Sequence, residues 1–532
     1  MSVKRQLDLL RLSFLFLSLV VMQGKMTAWG QSGMSSEILS PPSLVDFTPF
    51  LDDPLNAFPN HHMQYPANLF TGGIAGCVVA QNILQSGNAE IASQRLREYA
   101  FEKNSQGSPV LSLQAALDLG LCHNPQLRMT WSDIKIQASR VGQAKAAYLP
   151  QLNAAIMPQS STTKTQTYFL GISLGTSTQT VQSTSGNIGL SWRVLDFGTR
   201  SATLESAYHQ LAGAMHSQNE VLQKTIIGIL QAYYVALTKK SQWLATIQIA
   251  QLAEQTLGSA QRRVRNGVGS QNDVLQAQSS LSKARLEEKR SDGEYQKALA
   301  SLVFQIGLPA NTAIDLDNIL EEDMLSMKDS TFVEQQQVLV EQGLQEWLNL
   351  AKRSHPTIAA ARSRWQSAQS EIRAVSAQGL PTIDLGANYY RNGRPTDRAS
   401  NSQNSESNLT LTINIPIFSG FDHTYRVRGA QAQAERASRE MDAVEQQVML
   451  EIIQTHADAL SSWHNLAEAE NFYTWAALAR LSSQRQFEGG VSDITQVIQA
   501  QSFLVDAQQQ RIEAYAQWQI ARMTLIVQSY AW

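Results

Sequence analysis

The 532-residue chain repeats short motifs at long range. Asn124-Pro125 recurs in the second half of the chain as His355-Pro356. The segment 275–279, Leu-Gln-Ala-Gln-Ser, recurs as Ile-Gln-Ala-Gln-Ser at 498–502, with nearly the same offset between the two copies. Repetition on this scale is typical of a duplicated structural unit. We therefore expect one architecture built twice rather than several unrelated domains.

Composition argues against several functional classes. A formal net charge of −3 lacks the basic surface of a nucleic-acid binder, so no nucleic-acid partner is predicted. Mean hydropathy is −0.23, and we identify no apolar run of about 18 residues beyond the N-terminus, which argues against a helical membrane protein. Motifs for zinc, for phosphate and for paired metal ligands are missing from the sequence. We predict neither a metal or cofactor nor an enzymatic activity.

The N-terminus has the pattern of a secretory signal peptide. Basic residues accompany an apolar stretch from Leu12 to Met22, which is too short to cross a bilayer. Ala28 and Gly30 then supply a small-x-small cleavage site. We predict a signal peptide over 1–30 and a mature chain that begins near Gln31. An uncleaved anchor helix is the alternative.

Residues 31–110 form a predicted N-terminal extension that is proline-rich and partly disordered. Six of the 15 prolines lie between Pro41 and Pro66. The two cysteines, Cys77 and Cys122, are expected to form a disulfide because an exported protein meets an oxidising compartment. Lipidation of Cys77 is one alternative, since residues 74–77 read Ile-Ala-Gly-Cys, and two free thiols are another.

We predict repeat 1 over 111–310, an inter-repeat equatorial segment over 311–350, and repeat 2 over 351–532. Each repeat contains a helix, two strands and a long helical hairpin, and the first helix is predicted over 113–147. Period-two alternation predicts strands at 187–197, 382–389 and 408–417, with a less clear strand after Gln151. The Ser/Thr/Asn/Gln-rich segments 160–186 and 392–407 are predicted to be external loops.

Two further helices are predicted to be very long. Residues 430–488 contain neither Gly nor Pro, and a helix over 199–265 would extend about 100 Å. Helices of this length pack as coiled coils. Each is predicted to reverse in a tight turn whose glycines supply left-handed backbone. The tip turns comprise Gly267, Val268, Gly269 and Ser270 in repeat 1, and Gly489, Gly490, Val491 and Ser492 in repeat 2.

Alternating strands of about ten residues in an exported protein are typical of an outer-membrane β-barrel. Lipid tolerates no unpaired backbone edge, and four strands cannot close a barrel. The chain must therefore oligomerise. A dimer would give eight strands around a filled interior, whereas a trimer would give twelve strands around a lumen.

These features together resemble the TolC family of outer-membrane efflux and secretion channels. The resemblance implies an α+β membrane protein: a homotrimer with one shared 12-stranded barrel, four strands per chain, continued by a long periplasmic α-helical coiled-coil barrel. It also implies a Gram-negative outer-membrane location, contact with lipid, a periplasmic adaptor (membrane fusion protein) and an inner-membrane ABC, RND or MFS transporter. The motifs that carry it are 124–125, 147–150, 195–198 and 273–278, with their copies at 355–356, 380–381, 415–420 and 497–501.

The resemblance also identifies candidate entrance residues at the periplasmic tips. Asp273 matches an acidic position of the family, while Gln496 and Gln499 occupy positions at which members can have acidic residues. Asp493 lies close to the second turn and can supply charge instead. The alternative is that Asp273 and Asp493 only cap the helices that follow.

The predicted function is passive conduction of substrates from an inner-membrane pump across the periplasm and outer membrane. The sequence leaves type I protein secretion and small-molecule efflux both open. The context of Cys122-His123-Asn124-Pro125 resembles a secretion-type branch of the family. A periplasmic coiled-coil adaptor or structural protein without a pore is the alternative, although it does not account for the amphipathic strands in both repeats.

Overall fold

A computed structural model of the chain describes residues 110–310, 312–317, 343–392 and 404–529. All of them belong to one compact unit, Leu51–Trp532. The predicted signal peptide, most of the predicted N-terminal extension and Cys77 lie outside the described residues. Cys122 is disulfide-bonded, and its pairing with Cys77 stays a prediction.

Apart from the short strands β1 and β4, the described elements follow the same order in both halves of the chain. The first half contains β1 (Val110–Leu111), α1 (Leu113–His123), α2 (Pro125–Ala146), β2 (Gln151–Phe169), β3 (Ile172–Leu195), α3 (Thr199–Arg265), α4 (Gln271–Ile306) and β4 (Asp315–Leu316). The second half contains α5 (Leu344–Ser354), α6 (Pro356–Ala377), β5 (Thr382–Arg391), β6 (Ser405–Asn414), α7 (Asp422–Glu488) and α8 (Ile494–Ser529).

Corresponding helices have equal lengths. Helices α1 and α5 have 11 residues each, and α2 and α6 have 22. The long helices α3 and α7 have 67 residues each, and the return helices α4 and α8 have 36. The predicted duplication and long helices are therefore confirmed, and α3 has the bounds that the sequence predicts.

The single helix predicted over 113–147 is wrong, because it breaks into α1 and α2 at Asn124-Pro125. Proline has no N–H to continue the helical hydrogen bonds, and its ring disfavours helical backbone at the preceding residue. Asn124 instead caps α2, its Oδ1 accepting a hydrogen bond from the Gln126 N–H at 2.8 Å. His355 does the same for α6.

The four larger strands form an antiparallel sheet in the order β2-β3-β5-β6. Rows of paired residues alternate between an apolar and a polar face, as the sequence alternation predicts. One apolar row is Leu152, Leu190, Ala387 and Leu409; the next polar row is Gln151, Ser191, Gly386 and Thr410.

The external loop predicted over 160–186 is wrong. Strands β2 and β3 continue through most of it as a hairpin that turns at Leu170-Gly171, with a register shift between Thr167 and Tyr168. Thr162 and Thr180 share a hydrogen bond between their hydroxyls at 3.1 Å. Apart from an apolar tip at 168–174 and Val181, this segment is polar on both faces, so it lacks the alternation used to recognise strands, although its threonines favour extended backbone.

The helical core lies where α1, α3, α4 and α8 meet. Trp518, Tyr515 and Ile229 are fully buried there. Among the described residues, α3 contains an 18-residue window apolar enough to cross a membrane by length and composition, which the sequence reading missed. Most of that window, 56%, is buried within the chain, as in a core helix.

A buried ion pair joins the sheet to the first long helix. After β3 the chain turns through Phe197 and Gly198, both with positive φ. Arg200 Nε donates to Asp196 Oδ2 at 3.0 Å, and the Arg200 guanidinium also donates to the carbonyl oxygens of Arg193 at 2.6 Å and Val194 at 3.2 Å. These bonds satisfy carbonyl groups at the end of β3.

His355 predicts acid sensitivity of the region where α6 begins. Burial lowers the pKa of His355, an effect opposed by Glu451 and Glu220. The Nδ1 that accepts from the Thr357 N–H at 3.3 Å must be unprotonated. Since the folded-state pKa lies below the unfolded value of about 6.5, the contribution of His355 is complete above that pH and is lost as the pH falls.

The substitution His355→Asn places the residue of the first repeat at this cap. We expect the thermal midpoint of the variant, followed by circular dichroism, to fall less than that of the parent between pH 7.5 and 5. His216, whose pKa burial also lowers, is present in both proteins and supplies a common background. Parallel pH curves for the two proteins would contradict this role of His355.

Candidate functional site

The first tip turn is a left-handed helix termination. Gly267 has φ of 76°, and its N–H donates to the Val264 carbonyl at 3.0 Å. The Val268 N–H donates to the Arg263 carbonyl at 3.0 Å. This pair of bonds is the Schellman arrangement, in which glycine adopts the left-handed conformation at least cost. The sequence prediction of a tight glycine turn at this position agrees with this geometry.

Asp273 takes part in a capping box at the start of α4. Ser270 Oγ accepts from the Asn272 N–H at 3.1 Å, and Asp273 Oδ2 accepts from the Ser270 N–H at 3.4 Å. Both bonds satisfy N–H groups that the first turn of a helix leaves unpaired. Asp273 is half-buried. Capping is therefore one role of this carboxylate, and its predicted role at an entrance stays a hypothesis.

The second tip turn has the same backbone geometry but a different cap. Gly490 has φ of 78°, and the Val491 N–H donates to the Gln486 carbonyl at 2.9 Å. Asp493 Oδ1 accepts from the N–H groups of Thr495 at 2.9 Å and Gln496 at 3.3 Å. The alignment of 275–279 with 498–502 places Asp493 at the position of Ser270 in the first repeat.

The other candidate entrance residues are accessible. The side chains of Asp493, Gln496 and Gln499 are exposed beyond the second turn. The two carboxylates, Asp273 and Asp493, each bind backbone of their own turn. The exposed residues leave hydrogen-bonding groups and one carboxylate available at this end of the chain.

Arg263 connects the two tips, a contact that the sequence did not predict. Its Nη1 donates to the Phe487 carbonyl near the end of α7, and its guanidinium lies 4.6 Å from the centre of the Phe487 ring. Phe487 is buried in a cluster that includes Leu257, Leu281 and Val497. Arg263 therefore holds the end of one hairpin against the end of the other.

The sheet lies at the other end of the long helices. Its apolar face is open, with Leu152 at 72% exposure and Leu411 at 63%. Among the described residues, β2 and β6 are the end strands, and each pairs with one neighbouring strand only. An exposed apolar face between two unpaired edges is unfavourable in water.

The polar face carries paired charges and carboxamides. Arg193 and Asp384 form an ion pair at 2.8 Å in one row. A row further from the helices on the same face contains Asn153, Gly189, Asn388 and Asn408. Among the described residues no group of three or more His, Cys, Asp or Glu could hold a metal ion.

Comparison of the sequence with known proteins gives three informative relatives. Protein CyaE of Bordetella pertussis is 29% identical over 78% of this chain and 83% of its own length. Alkaline protease secretion protein AprF of Pseudomonas aeruginosa is 22% identical over 54% of this chain and 57% of its own length. Outer membrane protein TolC of Escherichia coli is 21% identical over 76% of this chain and 78% of its own length.

The fold is also similar to solved structures. The outer membrane protein VceC of Vibrio cholerae superposes with a TM-score of 0.62 at 17% identity, covering 79% of this chain and 96% of that one. The family model described as outer membrane efflux protein matches residues 116–308 and 347–527, which include both tip turns and the whole sheet. The resemblance inferred from the repeated motifs is thus confirmed, and the chain belongs to the outer membrane efflux protein family of export channels.

Proposed function

We propose that the protein is a homotrimeric channel that conducts a substrate passively across the outer membrane. The observation that carries this proposal is the four-stranded sheet, with its open apolar face and two unpaired end strands. The apolar face suits contact with lipid, and the polar face then lines a water-filled lumen. Passive conduction requires no catalytic group, so we do not propose an enzymatic activity.

Three chains are the arrangement that these strands favour. In lipid, every backbone N–H and C=O needs a partner within the protein, so β2 of one chain must pair with β6 of another. Two chains would give a barrel of eight strands, and side chains would fill its interior. Three chains would give twelve strands, and the lumen would be open. The long helices would extend the same passage into the periplasm.

The tips are the proposed sites of docking with a periplasmic adaptor, which would connect the channel to an inner-membrane transporter. Val268 and Val491 support this because both are highly exposed apolar residues at the apices of the turns. For the cargo we favour a polypeptide exported by type I secretion, since AprF is named as a secretion protein. The family description names efflux, and small-molecule efflux is the alternative.

We expect the full-length protein to be recovered in the outer-membrane fraction. Light scattering, corrected for bound detergent, should give the mass of three chains. Purified protein in a planar bilayer should conduct ions. A monomeric periplasmic product without conductance would instead support the coiled-coil adaptor alternative.

A matched pair of substitutions tests which face of β6 meets lipid. We expect Leu411→Arg to prevent assembly of a heat-modifiable trimer, because arginine at the bilayer midplane costs about 2–4 kcal/mol in each copy. Thr410→Arg, at the neighbouring position on the polar face, should assemble normally. Equal amounts of trimer from both variants would rule out the proposed orientation of the sheet.

The entrance role of the tip carboxylates predicts a change in ion selectivity. Asp273→Asn with Asp493→Asn retains carboxamide oxygens that can cap the helices, while it removes two negative charges per chain. We expect the ratio of cation to anion permeability, obtained from reversal potentials in a salt gradient, to decrease. An unchanged ratio would leave capping as their role.

Arg263 is predicted to restrain the two hairpins. Arg263→Gln should loosen their tips, so conductance should rise and limited proteolysis near Val268 should accelerate. Arg262→Gln is the matched control, since Arg262 donates to Ser259 of its own helix at 2.9 Å. The same behaviour in both variants would show that the cross-hairpin contact does not restrain the tips.

A further inference from the structure

One row of the sheet is made almost entirely of carboxamides. Asn153 on β2 pairs with Gly189 on β3, Gly189 pairs with Asn388 on β5, and Asn388 pairs with Asn408 on β6. The row lies on the polar face, because the residues next to each of these along the strands belong to apolar rows. The proposed function makes this face the lumen wall, and the inference below rests on it.

Gly189 is the point on which two side chains of this row converge. A Cβ built on Gly189 would lie 2.7 Å from Asn388 Oδ1 and 2.8 Å from Asn153 Oδ1. The two amide oxygens therefore approach the same point from the two flanking strands, over the space that glycine leaves open. Any larger residue would displace them.

Two further acceptors lie on the same face, one on the strand of Gly189 and one two strands away on β6. Asn187 Oδ1 and Asn408 Oδ1 are shielded from solvent and have no hydrogen-bond partner among the described residues. Asn187 belongs to the next row of the same face along β3, and that row ends at Glu406 on β6. On the other side of the carboxamide row, the charge of Arg193 is balanced by Asp384. Acceptor oxygens therefore predominate in the rows around Gly189.

We propose that the carboxamide row is a binding site for monovalent cations on the lumen wall. Amide oxygens replace water around such ions as the backbone carbonyls of ion channels do. Two ligands fit this site: a dissolved alkali metal ion, or the ammonium group of a lysine in a passing polypeptide. Both are small positive centres that accept no hydrogen bond.

Two glycine substitutions test this site with little other change. Gly189→Ala fills the point of convergence and moves the ends of two flexible side chains. Gly386→Ala is the matched control on the same face, since its Cβ would meet only the Thr410 carbonyl at 3.9 Å. We expect Gly189→Ala to lower the K⁺ to Cl⁻ permeability ratio about twofold or more, and Gly386→Ala to leave it unchanged. Replacing Asn153 and Asn388 together by Ser should reproduce the decrease.

Block of the current by added tetralysine distinguishes the two sources. Weaker block in Gly189→Ala identifies the ammonium group as a ligand, whereas an altered permeability ratio with unchanged block identifies the metal ion alone. Conducting channels in which both alanine variants match the parent in both measurements would overturn this inference but not the proposed function. A parent protein that forms no conducting channel would overturn both this inference and the proposed function.

Discussion

The contacts of Arg200 are the interaction on which the joining of sheet and helices depends. Its guanidinium is nearly buried, and it binds Asp196, the last carbonyls of β3 and the Ala147 carbonyl after α2, with the Tyr148 ring 4.7 Å away. Removing one partner of such a pair strands a charge in the interior, which typically costs about 3–5 kcal/mol. When Gly198 is aligned with Gly420, the second half has Phe418 and Asp422 at the matching positions, and there the exposed Arg426 contacts Gln378 instead. The duplicated halves therefore share a path of the chain but not the contacts that fix it.

The sequence predicted those elements for which one physical property dominates. Residues 430–488 lack Gly and Pro, which left the long helix α7 without a place to break. Clean alternation over 408–417 predicted most of β6, because one face must differ from the other, but the strand ends at Asn414, before Pro416. The hairpin within 160–186 was missed, since a strand that is polar on both faces shows no alternation. The break before Pro125 was missed because the apolar pattern continues across it. The missing N–H of one proline is enough to end the helix there.

Prediction of the site was limited in a similar way. The tip turns were predicted because glycine has a local conformational reason to be there. Asp273 and Asp493 were identified by position, and their capping bonds, also local, were foreseen as the alternative. Arg263 was missed because its partner Phe487 lies in the other half of the chain, where the equivalent of Arg263 is Gln486. The carboxamide row was missed because alternation assigns a residue to a face, whereas only the pairing register shows which residues stand side by side.

The equal lengths of corresponding helices limit which insertions and deletions this chain can accept during evolution. An insertion of one residue in α3 alone would advance the first tip by about 1.5 Å and rotate it by about 100° relative to the second. Arg263 would then face away from Phe487, and the buried positions of α3 would leave their partners on α6 and α4. Length changes are therefore tolerable only when they are matched in both halves, or when whole turns are added together. The two halves of the chain have diverged almost everywhere in sequence, yet their corresponding helices keep the same number of residues. Geometry rather than chemistry selects that number.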